Sequence, residues 1–319
     1  MKKPKVVAIL CADIHLSHNP PVWRSNEPDW YAAMRRPLDE LQDLQQQYKC
    51  PILVAGDVFD LWYGASNKAA SELINFAMLH MPKEVCSIPG QHDTPEHNTA
   101  QMERSAYYSL VLSKTIRDME GIETQPLVDF NTYTFAYGEK IEPPDRGLTK
   151  TTGQPNIAIV HEYVCTARTA HPKAPKEAFI GKTSNSNLIN GKLYGYDVIV
   201  YGDNHKGFKA YVGKTVIWNC GTLMRRKSDE EDYKPQVGLL YSDGMVKPHY
   251  LDTSKDKHLT ADEVKDVEDV EEQDMEQFAE ELRKLCASAL DFSDAMKEFW
   301  RSDKTRKAVR NIIRKAMEK

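Results

Sequence analysis

Five short apolar runs in this chain end directly in side chains that bind metal ions. Residues 6–12 lead into Asp13 and His15, and residues 51–55 lead through a glycine into Asp57 and Asp60. Residues 84–89 precede Gln91, His92 and Asp93; residues 156–160 precede His161; residues 197–201 precede Asp203 and His205. Carboxylate, imidazole and amide without thiolate make a hard-to-borderline donor set that suits Mn, Fe or Zn. The donors outnumber one coordination shell, so the set suits a pair of ions. Two ions roughly 3.5–4 Å apart that share a carboxylate can clamp a phosphate and generate a hydroxide between them. A lone Asp-x-His is an ordinary polar turn, but five such endings in series point to one shared site. His18, His80, His97, His171, His249 and His258 lack that setting and are assigned no role.

The elements that must carry these residues follow from the same runs. Residues 6–12, 51–55, 84–89, 156–160, 197–201, 215–219 and 236–242 are rich in Val, Ile and Leu and read as strands buried on both faces. Helical patterns at 37–48 and 66–81 separate the early ones, which argues for right-handed crossovers and a largely parallel sheet. In such a sheet, binding residues come from the loops past the carboxyl ends of strands. The second half has more strands and fewer helices, so two packed sheets with helices outside are expected. Residues 171–187 read as a long polar loop. From about His258 the texture changes. Residues 261–285 are acidic and helical by pattern, 291–300 start a further helix, and the last stretch is basic and amphipathic. The expected division is a catalytic domain at 1–255 and a helical appendage at 256–319.

The 319 residues are 41% hydrophobic and 28% charged, enough for a large buried core. Neither a membrane span nor a signal-peptide core is evident, and a cytoplasmic location is expected. The six cysteines lie far apart without a CxxC pair, so neither a disulfide framework nor a thiolate cage is indicated.

The series Asp-x-His, GDVFD, GQHD, a lone His and GDNH resembles the calcineurin-like metallophosphoesterases across residues 13–205. The resemblance implies a four-layer α/β/β/α sandwich with the helical appendage outside it. It also implies that Asp13, His15, Asp57 and His205 hold one divalent ion, and Asp57, Gln91, His161 and Asp203 a second, with Asp57 bridging. His92 would act as general acid or cationic stabiliser, Asp93 would orient its ring, and Asp60 would support the site from behind. Gln91 stands where the family has Asn, and Asp203 where it has His. Both departures fall on the second ion, the longer Gln offsetting the shorter Asp. Three aspartates leave a pair of divalent ions at a net +1, which favours Mn or Mg over Zn there.

Residues 216–244 are similar, more loosely, to the stretch after the active site of SbcD-type exonuclease subunits of double-strand-break repair, which have phage relatives. That similarity implies a DNA nuclease using two ions, most simply Mn²⁺ with Mg²⁺, Fe or Zn²⁺ as alternatives. Arg168, Lys173 and Lys206, with Arg225 and Arg226, form an expected basic rim for a phosphate backbone, joined by Lys176, Lys182, Lys209 and Lys227. The C-terminal helices would contact DNA or an SbcC/Rad-type ATPase partner, and a homodimer is a further expectation. Two other classes stay open. One is a phosphatase or pyrophosphatase for a small nucleotide or lipid, with Trp62 and Tyr63 lining its pocket. The other is a degenerate, non-catalytic member of the family.

Overall fold

The computed structural model describes residues 3–60, 71–119, 126–127, 130–144, 154–180, 195–260 and 262–264. The chain divides into two compact units, Met1–Lys257 and His258–Lys319. The appendage helices at 265–319, residues 66–70 of the second helical pattern, Trp62, Tyr63 and Lys182 lie outside the described residues.

The first unit is built on two six-stranded sheets. One runs β12 (Val246–Tyr250), β11 (Gln236–Tyr241), β1 (Val6–Cys11), β2 (Ile52–Ala55), β3 (Val85–Ile88), β4 (Ile116–Asp118). The other runs β5 (Pro126–Leu127), β6 (Phe130–Phe135), β7 (Asn156–His161), β8 (Val198–Gly202), β10 (Thr215–Asn219), β9 (Phe208–Val212). β1 through β4 are mutually parallel, as are β6, β7, β8 and β10, and antiparallel strands finish every edge except that of β4. Parallel strands of this kind are buried on both faces, which explains their unbroken apolar sequence.

Alternation sorts the side chains into layers. Ile9, Cys11, Ile52 and Val54 face the helices, while Ala8, Leu10, Leu53 and Ala55 face the second sheet. From that sheet Ile157, Ile159, Val198, Val200 and Trp218 enter the same central layer. Its outer face carries Ala158, Val160, Ile199, Tyr201 and Ile217, covered among the described residues by Ile141, Val164 and Ile180 from loops rather than by an α-helix. The architecture is a sandwich of two six-stranded sheets, as the sequence leads one to expect.

The helices on the first sheet are α1 (Trp30–Tyr48), α2 (Ser71–His80) and α3 (Ala106–Leu112). α1 begins seven residues before the expected Pro37. Asp29 caps it, its carboxylate accepting the Ala32 N–H at 3.0 Å, and Pro37 sits in the interior on the buried face with Trp30, Met34, Leu38, Leu41 and Leu44. Proline at a helix start is the commoner case; here the apolar stripe and the cap outweigh it. Among the described residues no helix is long and apolar enough to cross a membrane.

Candidate metal centre

The parallel strands deliver their carboxyl ends to one edge of the sandwich, and the five motifs meet there. Asp13 and His15 follow β1, Asp57 and Asp60 follow β2, and Gln91 to Asp93 follow β3, all from the first sheet. His161 ends β7, and Asp203 and His205 follow β8, from the second. Asp13, His15, Asp57, His161 and Asp93 are buried, each no more than 2% exposed. Ligand atoms of Asp13, His15 and His205 lie within 4.8 Å of one another, as do those of Asp13, Asp57 and His161, and those of His15, Asp57 and His92.

The backbone is bent to achieve this. Of eight described non-glycine residues at positive φ, four are Asp13 (52°), His15 (52°), Asp57 (55°) and Asp203 (79°). Left-handed backbone outside glycine costs on the order of 1–3 kcal/mol per residue and concentrates at functional sites. Glycines give the remaining room. A Cβ on Gly90 would sit 2.1 Å from Asp57 Oδ1, and one on Gly56, at φ +89°, 2.2 Å from His161 Nδ1.

Backbone donors hold the carboxylates. The N–H of Asp203 donates to both Asp13 oxygens at 3.1 and 3.2 Å, and the N–H of His92 donates to Asp57 Oδ1 at 2.9 Å. The Thr222 hydroxyl donates to the Asp13 carbonyl at 3.0 Å. Gln91 Nε2 donates to Asp203 Oδ1 at 2.9 Å, so the two residues that depart from the family pattern are direct partners.

The imidazole tautomers can be read from their neighbours. His161 Nδ1 lies 2.6 Å from the Ala55 carbonyl and must donate to it. Once its second proton is displaced, His161 therefore presents a lone pair at Nε2, which is buried and lies 3.4 Å from Asp57 Oδ2. His205 Nδ1 donates to Glu230 Oε1 at 2.8 Å, turning the Nε2 lone pair toward His15 Nε2 at 3.0 Å. Buried lone pairs facing carboxylates and each other lack only a cation between them. Asp13, His15, Asp57, His161, Asp203 and His205 therefore fit divalent ions, in the donor chemistry expected for Mn, Fe or Zn.

The charges follow from the same crowding. Burial pushes the Asp13 carboxyl up to about 7 despite the His205 and His161 rings beside it. Burial also works against ionised Asp57, but His161 and His92 hold it below the usual carboxylate range. Burial and the Asp57 charge raise Asp203 against the pull of His161. Burial opposes charging His161, yet Asp57, Asp13 and Asp203 lift it to about 10. His15 is driven well below the usual imidazole range by burial, Arg226 and the neighbouring rings.

His92 stands at the cleft surface with Nδ1 3.0 Å from Asp60 Oδ1. Burial disfavours its cation, but Asp60 and Asp57 outweigh burial and raise it. Asp93, expected beside that ring, is directed elsewhere. Its carboxylate accepts the N–H groups of Val58, Phe59 and Gly90 at 3.1, 2.9 and 3.0 Å, tying the β2 and β3 loops together. Three backbone donors satisfy Asp93 there, and Asp60, rather than Asp93, is the ring's partner.

The expected basic rim is only partly there. Lys206 lines the cleft and pairs with Asp229 at 3.2 Å, and Arg168 and Lys173 are exposed on the loop after β7. Arg226 is 8% exposed and turned inward, donating to the His15 carbonyl at 2.9 Å and pairing with Asp60. Arg225 donates to the Glu231 carbonyl at 3.0 Å and lies over the Trp23 ring. Arg226 still lines the cleft, but both arginines are engaged by acceptors of the protein itself. Glu230, Thr222 and the cleft-lining His171 and Tyr163 had no role by sequence. An acidic run closing a basic segment was the one sequence cue for Glu230.

The cleft above this cluster measures about 550 Å³. The profile described as calcineurin-like phosphoesterase matches residues 7–207. Among solved structures, an archaeal phosphodiesterase is similar at 10% identity and TM-score 0.39 over 76% of this chain and 99% of its own. A dimetal phosphatase from Danio rerio is similar at 11% identity and TM-score 0.46 over 78% and 99%. Comparison with curated protein sequences finds no match. Strand-end ligands from two sheets and a profile covering well over half the chain lead to one conclusion: this protein belongs to the calcineurin-like phosphoesterase family and is a hydrolase acting on phosphoesters.

Proposed function

We propose that the protein is a phosphodiester hydrolase that cuts DNA with two divalent ions, in the manner of SbcD-type nucleases. The observation that carries this reading is the form of the cleft. It is lined by His15, His92, Asp203 and His205 together with Lys206, Lys227, Thr169 and His171, Lys206 sharing its charge with Asp229. The exposed Arg168 and Lys173 stand close to Thr169 and His171 in sequence. Side chains able to handle one phosphate, with lysines beside them for its neighbours, suit a polymer of phosphates better than a single compact monoester.

One ion would be held by Asp13, His15, Asp57 and His205, the other by Asp57, Gln91, His161 and Asp203. Bound ions would lower the pKa of a water to make the nucleophile and neutralise the phosphoryl oxygens. The chain's own residues handle the leaving group. His92, whose cation Asp60 favours, would give a proton to the departing oxygen from the cleft side. Asp57, fixed by the His92 N–H, keeps one carboxylate at the centre of both ligand groups. Asp203, held by Gln91, gives the second group a second carboxylate in place of an imidazole, which favours Mn or Mg over Zn.

The test is hydrolysis with Mn²⁺ of end-labelled duplex and single-stranded DNA, bis-p-nitrophenyl phosphate and p-nitrophenyl phosphate. DNA and diester cleavage is the expected result; turnover of the monoester alone overturns the reading. Alanine at Arg168, Lys173 or Lys206 should weaken DNA binding uniformly across sequences and lower the slope of log affinity against log salt by about 1 for each phosphate that is no longer neutralised.

A further inference from the structure

Two charged side chains at the cleft lining are largely buried without belonging to the ligand set. Glu230 is 2% exposed and Arg226 is 8% exposed, and both lie on the segment that follows the Gly221 turn. A buried charge is retained only where partners satisfy it, so the partners show what each residue is for.

Glu230 uses both oxygens. Oε1 accepts the Nδ1–H of His205 at 2.8 Å, while Oε2 accepts the backbone N–H of Arg226 at 2.6 Å and of Lys227 at 3.2 Å. Arg226 reaches the other way. It donates to the His15 carbonyl at 2.9 Å and pairs with Asp60, whose other oxygen lies 3.0 Å from His92 Nδ1. The rings of His205 and His92 both meet His15 edge-on, each with centroids 4.9 Å from it. From behind, the Arg24 guanidinium donates to the Arg225 carbonyl at 3.0 Å and fixes the segment in place.

We propose that Glu230 and Arg226 are coupled positioning residues: Glu230 sets the tautomer and aim of His205 toward its ion, and Arg226 sets Asp60 and through it the ring of His92. One short segment thereby ties a metal ligand to the group that protonates the leaving oxygen. A carboxylate on the far nitrogen of a ligating histidine fixes which nitrogen faces the metal and raises its basicity. The Arg226 fork holds a carboxylate and a carbonyl at once, which a lysine cannot reproduce.

The inference rests on the two-ion reading above, and its test separates the two. Titration of wild type with Mn²⁺, followed by electron paramagnetic resonance, tests that reading. The same titration on Glu230→Ala should show affinity about 10- to 100-fold weaker, with Glu230→Gln, which keeps one acceptor oxygen, in between. For Arg226→Lys the readout is leaving-group dependence. Cleavage of a thymidine dinucleotide, whose alkoxide needs a proton, should fall at least tenfold further than cleavage of bis-p-nitrophenyl phosphate, whose phenolate does not. Thermal transitions of all variants identify any that fail to fold, and the conservative Gln and Lys variants carry the comparison if the alanine variant does. Wild type without Mn²⁺ uptake overturns both readings. Wild-type uptake with equal affinity in Glu230→Ala and Glu230→Gln overturns the role of Glu230 alone. Equal losses on both substrates in Arg226→Lys reduce Arg226 to a structural strut and overturn its role.

Discussion

Asp60 lies 3.0 Å from His92 Nδ1 and favours the cationic ring, so in the proposed mechanism removal of His92 is selective. His92→Asn should lower kcat on a dinucleotide by about 10²–10⁴-fold while sparing much of the rate on an activated diester. Steady-state kinetics on the two substrates checks this. The buried groups also set a pH dependence for the metal-free protein. Asp13 and Asp93 are raised to about 7 and His161 to about 10, so these three groups hold more protons folded than unfolded between about pH 4 and pH 10, while the lowered His15 and Asp57 oppose them at the acid end. Stability falls with pH wherever the native state holds the extra protons. The Asp contributions are complete below their unfolded value of about 3.9 and gone above 7, and that of His161 is complete below about 6.5 and gone above 10. Melting temperatures in EDTA should therefore drop from pH 5 to pH 9, and Mn²⁺ should restore most at the alkaline end; a flat profile contradicts this. At this scale the side chains that meet at the strand ends were legible because each stands directly after an apolar run. Glu230 was not, because its bond to His205 spans 25 residues and depends on how a loop returns.

At the scale of the element, the turns after strands matter more than the strands. Gly90 has ordinary backbone geometry but no space, since a Cβ would press on the Asp57 carboxylate and backbone N–H. Gly90→Ala should cost roughly 1–3 kcal/mol of stability and weaken Mn²⁺ binding, measured by urea denaturation and metal titration. The buried strands were legible from Val, Ile and Leu content because both faces are covered. β9 (FKAYV) and β12 (VKPHY) were not, because as edge strands they alternate with exposed polar residues, and β12 even carries Pro248. The start of α1 was misplaced for a related reason. Pro37 reads as a first-turn residue, and only the packing of Trp30 and Met34 under the sheet shows that the helix is already two turns old.

For the molecule as a whole, one ion-pair network fastens the front of the catalytic unit to its last residues. Arg24, 1% exposed, binds Glu27 at 2.5 Å and Asp256 at 3.2 Å, and Arg36 reaches the same two carboxylates at 2.7 and 3.0 Å. Arg24→Ala leaves the Arg225 carbonyl and part of two carboxylates unsatisfied, and should cost about 3–5 kcal/mol with an unchanged urea m-value. The two-sheet plan has a further consequence in time. Asp13, His15 and Asp57 belong to the first sheet; His161, Asp203 and His205 belong to the second, and Glu230 follows both. A chain still being synthesised carries half a catalytic centre for most of its length on the ribosome. The strand-end cluster, and any hydrolysis that depends on it, therefore waits until more than two hundred residues have emerged and the two sheets have packed on each other.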